Sequence, residues 1–181
     1  ERADRARGGR RRQGAAAHPA VGFLPTGTTW SGPIAGSVEN TYDNRFRVTA
    51  RKVNGADPVA FQYDRDSLLT RAGSLTLHRD PRNGLLTGAT LGQVTTAQSY
   101  NGFGEMSAFE ARIGADPVLT IHYTRDKLGR IIEKIETLAG TTDVYAYTYD
   151  LSGRLSEVHR NGARLSHYGY GANSNRTAHV T

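Results

Sequence analysis

Short stretches of alternating apolar and polar residues follow one another along most of the chain, and turn-forming residues separate them. Residues 144–149 show this pattern clearly, with tyrosines at every second position and smaller residues between them. A period of two places alternate side chains on the same face of a β-strand. No window has a sustained helical period, although residues 107–113 would accommodate one or two helical turns. The pattern predicts an all-β chain with strands of about five to eight residues.

One nine-residue motif recurs along the chain. Residues 147–155 read Tyr-Thr-Tyr-Asp-Leu-Ser-Gly-Arg-Leu, and residues 123–131 align with them without a gap. An aspartate in such a turn bonds its own backbone, and the glycine supplies a positive φ. The first turn position is held in seven copies by Asp43, Asp64, Asp80, Asn101, Asp126, Asp150 and Gly171. The six intervals average about 21 residues, a period typical of repeat architectures.

Two further positions recur with the motif. The turn closes at Phe46, Ser67, Gly84, Gly104, Gly129, Gly153 and Ser174. The next strand starts at Val48, Leu69, Leu86, Met106, Ile131, Leu155 and Arg176. Six of these seven strand starts are apolar, as a strand with one packed face requires. The turn that begins at Asp80 contains one extra residue.

A second turn signal lies near the middle of each interval. These signals are Asn54-Gly55, Ala72-Gly73, Leu91-Gly92, Ile113-Gly114, Ala139-Gly140 and Asn161-Gly162. Each repeat is therefore predicted to be strand, turn, strand, turn, which gives an antiparallel hairpin meander. Strand twist makes a long meander curl, so we expect a segment of a curled or spiral β-shell. The tyrosines expected on its packed face are Tyr42, Tyr63, Tyr100, Tyr123, Tyr147, Tyr149, Tyr168 and Tyr170.

The motif at 147–155 resembles the YD repeat of the RHS/YD-repeat family, which includes bacterial RHS polymorphic toxins, the C component of insecticidal toxin complexes and the teneurins. Residues 63–70, 83–88, 99–105 and 123–131 resemble the same family. Residues 168–176 are similar to its Tyr-x-Tyr-Asp-x-x-Gly-Asn-Arg form but depart at Gly171 and Ser174. The resemblance covers residues 37–177 and implies a hollow β-shell that encloses a C-terminal toxic domain or serves adhesion. We find no segment similar to the family's autoproteolytic core region.

Composition and charge define three regions. The net charge is +6, and residues 1–14 carry six arginines against two acidic residues. We expect residues 1–20 to be a disordered basic tail, residues 21–36 a loop-rich lead-in that Trp30 anchors, and residues 37–181 the repeat region. An arginine tail can bind nucleic acid through phosphates, but tails of this kind are usually solvated linkers. Nucleic acid is therefore the weaker of the possible partners.

The sequence gives no support for catalysis. It has no cysteine and no nucleotide-binding or nucleophile motif. Asp64-Arg65-Asp66 could be a metal-binding pair, but it lies in the repeated turn, where a structural role is favoured. His159 and His167 could face each other across the hairpin at 161–162, yet no tight metal-ligand spacing is present. We expect no catalytic residue, no metal site, no cofactor and no membrane span.

The resulting functional prediction is a non-enzymatic structural segment of an RHS/YD-repeat shell. The resemblance implies that its partners are the remainder of that shell and an enclosed C-terminal toxin domain, and that the protein is secreted or displayed at the cell surface. One alternative is a module for cell adhesion or carbohydrate binding, since exposed aromatic rows can stack on sugars. The other is nucleic-acid binding through the arginine tail.

Overall fold

The computed structural model describes residues 20–21 and 24–180, and every regular element in those ranges is a β-strand. The chain divides into two compact units, residues 1–73 and 74–181. The predicted tail lies outside the described residues except for Ala20, which belongs to a two-residue strand. No helix among the described residues is long and apolar enough to cross a membrane.

The described residues of the first unit form seven strands. They are β1 (Ala20–Val21), β2 (Leu24–Pro25), β3 (Gly27–Trp30), β4 (Gly36–Tyr42), β5 (Val48–Val53), β6 (Val59–Tyr63) and β7 (Leu69–Ala72). Strands β3 to β7 pair antiparallel in chain order, and β1 pairs with β2. The stretch expected to be loop-rich thus contributes strand β3 to the meander. Gly36 faces the Trp30 ring so closely that any Cβ there would overlap it.

The second unit contains ten strands. They are β8 (Leu75–Arg79), β9 (Leu86–Leu91), β10 (Val94–Tyr100), β11 (Met106–Ile113), β12 (Asp116–Arg125), β13 (Ile131–Leu138), β14 (Thr141–Tyr149), β15 (Leu155–Arg160), β16 (Ala163–Tyr170) and β17 (Arg176–Val180). Each pairs antiparallel with its neighbour in the chain. Residues 107–113, which could accommodate one or two helical turns, are not helical. These residues lie in β11, because pairing with strands on both sides outweighs a weak local preference.

The longer turns that begin at the Asp positions share the same strand pairing in all seven copies, although the Asp80 turn is one residue longer. The residue before the Asp position pairs with the residue that starts the next strand, across a β-bulge. These pairs are Tyr42↔Val48, Tyr63↔Leu69, Arg79↔Leu86, Tyr100↔Met106, Arg125↔Ile131, Tyr149↔Leu155 and Tyr170↔Arg176. Every closing residue has a positive φ, from 62° at Phe46 to 80° at Gly129. A left-handed residue at this point is typical of a bulged hairpin turn.

The short turns fall into two types. Asn161 and Gly162 both have positive φ (50° and 82°), as do Ala139 and Gly140 (47° and 84°). Two successive left-handed residues define a type I′ turn. At the short turns that begin with Gly92 and Gly114, the positive φ (57° and 60°) falls on the first central residue, as in a type II′ turn. Both types match the twist of the strands that they join.

Neither unit has a conventional core among its described residues. Among the described residues Val158, which is 9% exposed, is the buried apolar side chain, and Ser166 is the buried polar one. Along β14 the half-buried tyrosines alternate with the exposed residues Val144, Ala146 and Thr148. The second unit is thus a single sheet, and along β14 its tyrosine face is the more closely packed one. The first unit has the sheet β3–β7 and the separate β1–β2 pair. The prediction of an all-β antiparallel meander is confirmed.

Candidate functional site

The candidate functional site consists of the Asp turns, which in each unit connect the strands at the same end of the sheet. At residues 150–153 the carboxylate of Asp150 serves two purposes. Its Oδ1 accepts hydrogen bonds from the backbone N–H groups of Ser152 and Arg154, both at 2.9 Å. Its Oδ2 accepts one from Arg154 Nε at 2.7 Å. The first oxygen therefore fixes the turn, and the second orients the arginine.

The same arrangement recurs in two other copies. Asp43 accepts a hydrogen bond from Arg47 Nε at 2.8 Å, and Asp126 accepts one from Arg130 Nε at 2.7 Å. In both, Oδ1 also accepts the backbone N–H of the arginine, at 3.0 Å. The aspartate thus binds both the backbone N–H and the guanidinium of one arginine, which leaves that side chain little rotational freedom.

Each of these arginines also contacts the next repeat. The guanidinium carbon of Arg154 lies 4.6 Å from the centre of the Tyr170 ring. Arg130 stands over Tyr149 at 4.6 Å, and Arg47 stands over Tyr63 at 4.7 Å. Cations at this distance from an aromatic face are attracted to it. One turn is thereby joined to the strand that leads into the following turn.

The tyrosine hydroxyls provide a second connection between repeats. Tyr149 Oη donates to the carbonyl of Ile131 at 2.6 Å, and Ile131 starts the strand after the preceding Asp turn. Four other tyrosines donate in the same way, Tyr42 to Pro25, Tyr63 to Val48, Tyr100 to Leu86 and Tyr170 to Leu155. The acceptor in three of these four bonds is again the strand-start residue of the preceding repeat. Arginine and tyrosine together form what we call the inter-turn link.

Electrostatics in the turns favours ionised carboxylates. The side chain and backbone N–H of Arg154 lower the pKa of Asp150, and partial burial opposes this effect. The backbone N–H of Arg47 lowers the pKa of Asp43. For Asp126, burial acts in the upward direction, but hydrogen bonds from Arg130 outweigh it and the pKa is lowered. Burial raises the pKa of Tyr147 on the packed face.

The other predicted turn residues lie among the Asp turns of their own units and make simpler contacts. Asp64 Oδ1 accepts from the backbone of Asp66 and Leu68 at 2.9 Å, and Asp80 Oδ1 accepts from Arg82 at 2.7 Å. Gly104, Gly129 and Gly153 close their turns with a backbone N–H to the first turn carbonyl, at 2.9 to 3.0 Å. These residues cap the backbone, and Asp64 and Asp80 hold no arginine at the following strand.

The remaining predicted tyrosines lie two residues further from the turn. Tyr123, Tyr147 and Tyr168 belong to β12, β14 and β16. The guanidinium of Arg125 lies 5.9 Å from the Tyr123 ring centre, and Tyr168 stacks on His179 with ring centres 4.9 Å apart. These rings extend the packed face away from the turns.

The arginines are the functional residues that sequence reasoning missed. Within the motif they appear only as a basic residue after the turn-closing position. The available signal was the constant spacing of four between Asp43 and Arg47, Asp126 and Arg130, and Asp150 and Arg154. That spacing places the arginine beside its aspartate across the turn.

The proposed contact between His159 and His167 does not form. A bulge shifts the register, so His159 pairs with Arg164 and His167 pairs with Glu157. Both imidazoles instead contact the Glu157 carboxylate, at 3.1 Å and 3.4 Å. No group of three or more acidic, histidine or cysteine side chains in residues 24–180 is arranged to hold a metal ion. Asp66 lies in the Asp64 turn, where its N–H donates to Asp64.

Comparisons with known proteins agree with this repeat architecture. A family model described as Teneurin YD-shell matches residues 28–181. The crystal structure of TcdB2-TccC3-Cdc42 is similar over 90% of this chain, with 12% sequence identity and a TM-score of 0.62. The structure of the Photorhabdus luminescens Tc holotoxin pore with a mutated TccC3 is similar over 93% of it, with 12% identity and a TM-score of 0.61. A sequence comparison with curated proteins gave no match.

The likeness to the toxin structures concerns the fold, because sequence identity is low. The chain spans 12% of the length of each of these two structures' matched chains.

Proposed function

Because the chain belongs to the Teneurin YD-shell family, we propose that it is a non-catalytic wall segment of a larger β-shell. We further propose that the shell encloses or presents a C-terminal toxin or effector domain. The observation that carries the proposal is the inter-turn link, which joins one Asp turn to the next through arginine and tyrosine. A wall built of repeats needs such contacts, because each repeat touches mainly its neighbours.

The chemistry of the acidic side chains supports a structural role. The carboxylates of Asp43, Asp126 and Asp150 each hold an arginine and cap a turn. A general acid or base needs an oxygen that faces a substrate and can exchange a proton with it. In these carboxylates both oxygens already accept hydrogen bonds from the turn and its arginine. A place outside the cell, either secreted or at the cell surface, follows from the same family membership and forms part of the proposal.

Enclosure has a direct consequence for the two faces of the sheet. One face of a shell wall points to the interior and the other to solvent. Thr141 and Ala146 are both exposed residues of β14, and their odd and even positions place them on opposite faces. Since the chain has no cysteine, a single cysteine at either position reports on one face.

The test uses the complete protein that carries this chain, with Thr141→Cys or Ala146→Cys as its single reactive thiol. A maleimide attached to a large polyethylene glycol should modify one cysteine rapidly and the other after denaturation. Both should react at similar rates in urea, which controls for intrinsic reactivity. Equal rates at the two positions in the native protein, whether fast or slow, contradict the wall proposal.

A further inference from the structure

One inter-turn link combines an acidic and a basic side chain where three others combine arginine and tyrosine. In the ordinary link the residue four after the Asp position is arginine, and the residue before the next Asp position is tyrosine. Between the turns at 101–104 and 126–129 these two positions hold Glu105 and Arg125. An acid thus stands where the ordinary link has its arginine, and an arginine stands where that link has its tyrosine.

Glu105 and Arg125 form an ion pair. Arg125 Nε lies 3.6 Å from Glu105 Oε2. The same carboxylate oxygen accepts a hydrogen bond from Asn101 Nδ2 at 2.8 Å. In the ordinary turn an aspartate accepts a hydrogen bond from the arginine four residues later, whereas here Asn101 donates one to the glutamate at that position. Asn101 Oδ1 still accepts the backbone N–H groups of Phe103 and Glu105, as the turn requires.

Arg125 also replaces the tyrosine hydroxyl. Its Nη2 donates to the carbonyl of Met106 at 3.2 Å, and Met106 starts the strand after the preceding turn. This is the position that Tyr149 reaches through its hydroxyl in the next link. Nη1 of Arg125 donates to the carbonyl of Gly129 at 3.0 Å. The backbone contacts of the link are therefore retained while its charges are reversed.

We propose that Glu105 and Arg125 form a specificity pair that fixes which Asp turn packs against the turn at 126–129. An ordinary turn in the place of residues 101–104 would set an arginine against Arg125, and like charges at facing positions repel. A chain of similar hairpins can dock in the wrong order or exchange hairpins between copies. One link of reversed polarity makes the β11–β12 hairpin non-interchangeable with its neighbours, whatever the shell encloses.

The test reproduces the wrong contact in the full chain. Glu105→Arg places the arginine of an ordinary turn against Arg125, and Arg125→Tyr leaves Glu105 facing a ring. The double variant Glu105→Arg/Arg125→Tyr restores the arginine and the tyrosine of the ordinary link, with Asn101 in the place of its aspartate. Hydrogen exchange followed by mass spectrometry reports local opening of residues 105–131. We expect each single variant to exchange up to about fivefold faster than the parent chain. The double variant should return to within about twofold of the parent.

A matched control is available on β11. Glu110→Gln removes the ion pair with Arg112, 2.7 Å long, without touching a link, and should leave exchange at 120–131 unchanged. If Glu105→Arg does not fold by circular dichroism, Glu105→Gln replaces it and should show a smaller acceleration. Additive effects in the double variant, or single variants that exchange like the parent, overturn the specificity pair.

Discussion

The left-handed glycines at the Asp turns allow the cost of the turn geometry to be separated from the cost of crowding. Gly153 has a φ of 78° and Gly129 a φ of 80°, so their backbones are nearly equivalent. A Cβ at Gly153 would lie 3.5 Å from the nearest side-chain atom, an ordinary contact with Arg130. At Gly129 it would lie 2.7 Å from an oxygen of Glu105. The two sites differ mainly in space.

From these distances we expect Gly153→Ala to reduce the free energy of unfolding by about 1–2 kcal/mol, the cost of a left-handed alanine. Gly129→Ala should lose the same amount and a further 0.5–1.5 kcal/mol or so, because Glu105 must move away and release its bond with Asn101. Gly102→Ala is the matched control. Its φ is outside the left-handed region and no atom lies within 4 Å of the new Cβ. That change should stabilise by about 0.4–1 kcal/mol through the unfolded state.

Urea unfolding followed by circular dichroism measures all three variants, provided that the m-value stays constant. The order of stability should be Gly102→Ala, the parent chain, Gly153→Ala and Gly129→Ala. If Gly153→Ala matched Gly102→Ala, the turn would not require a positive φ at its closing position. If Gly129→Ala matched Gly153→Ala, the crowding by Glu105 would be of no consequence.

Three further predictions follow from the inter-turn links. Tyr149→Phe should cost about 0.5–1.5 kcal/mol in urea unfolding through the lost bond to Ile131, whereas Tyr145→Phe, whose hydroxyl has no described hydrogen bond, should cost less. Asp150→Asn should preserve the turn, since Asn101 caps its own turn in the same way. It should release Arg154 from the carboxylate and raise the rate of proteolysis near residues 154–170. Loss of an enzymatic activity with the fold intact would contradict the structural role. The pKa of each of three carboxyls, Asp43, Asp126 and Asp150, is lowered from 3.8 in the folded protein. Their contribution to the free energy of unfolding is therefore complete above pH 3.8 and is lost as the pH falls through the lower folded pKa. In Arg154→Ala, acid unfolding monitored by circular dichroism should shift towards neutral pH.

The sequence predicted the hairpins because their determinants are local. Alternation, a turn-closing glycine and an Asn-Gly pair each act within a few residues, so the copy at 147–155 carries its own fold information. The link from Arg154 to Tyr170 spans 16 residues and depends on which strands are neighbours. Nothing within one motif indicates that partner. The register of His159 was also inaccessible, because the bulge after Val158 arises from pairing with β16.

The departures from the motif explain what its aspartate does. At 171–174 Gly171 replaces the aspartate and Ser174 replaces the turn-closing glycine. The Gly171 N–H nevertheless donates to the Asn175 carbonyl at 2.9 Å, and the Ser174 N–H donates to the Gly171 carbonyl at 3.0 Å. Ser174 accepts the left-handed conformation with a φ of 64°. The backbone turn therefore forms without the carboxylate.

What this copy lacks is an arginine to hold, since Asn175 occupies the arginine position. In the described chain each arginine at that position has an aspartate four residues before it, at 43, 126 and 150. Aspartates without an arginine, such as Asp64 and Asp80, cap the turn alone. The second carboxylate oxygen is thus used where a turn presents an arginine to the next repeat. The YD motif specifies a connection between repeats as much as a turn within one.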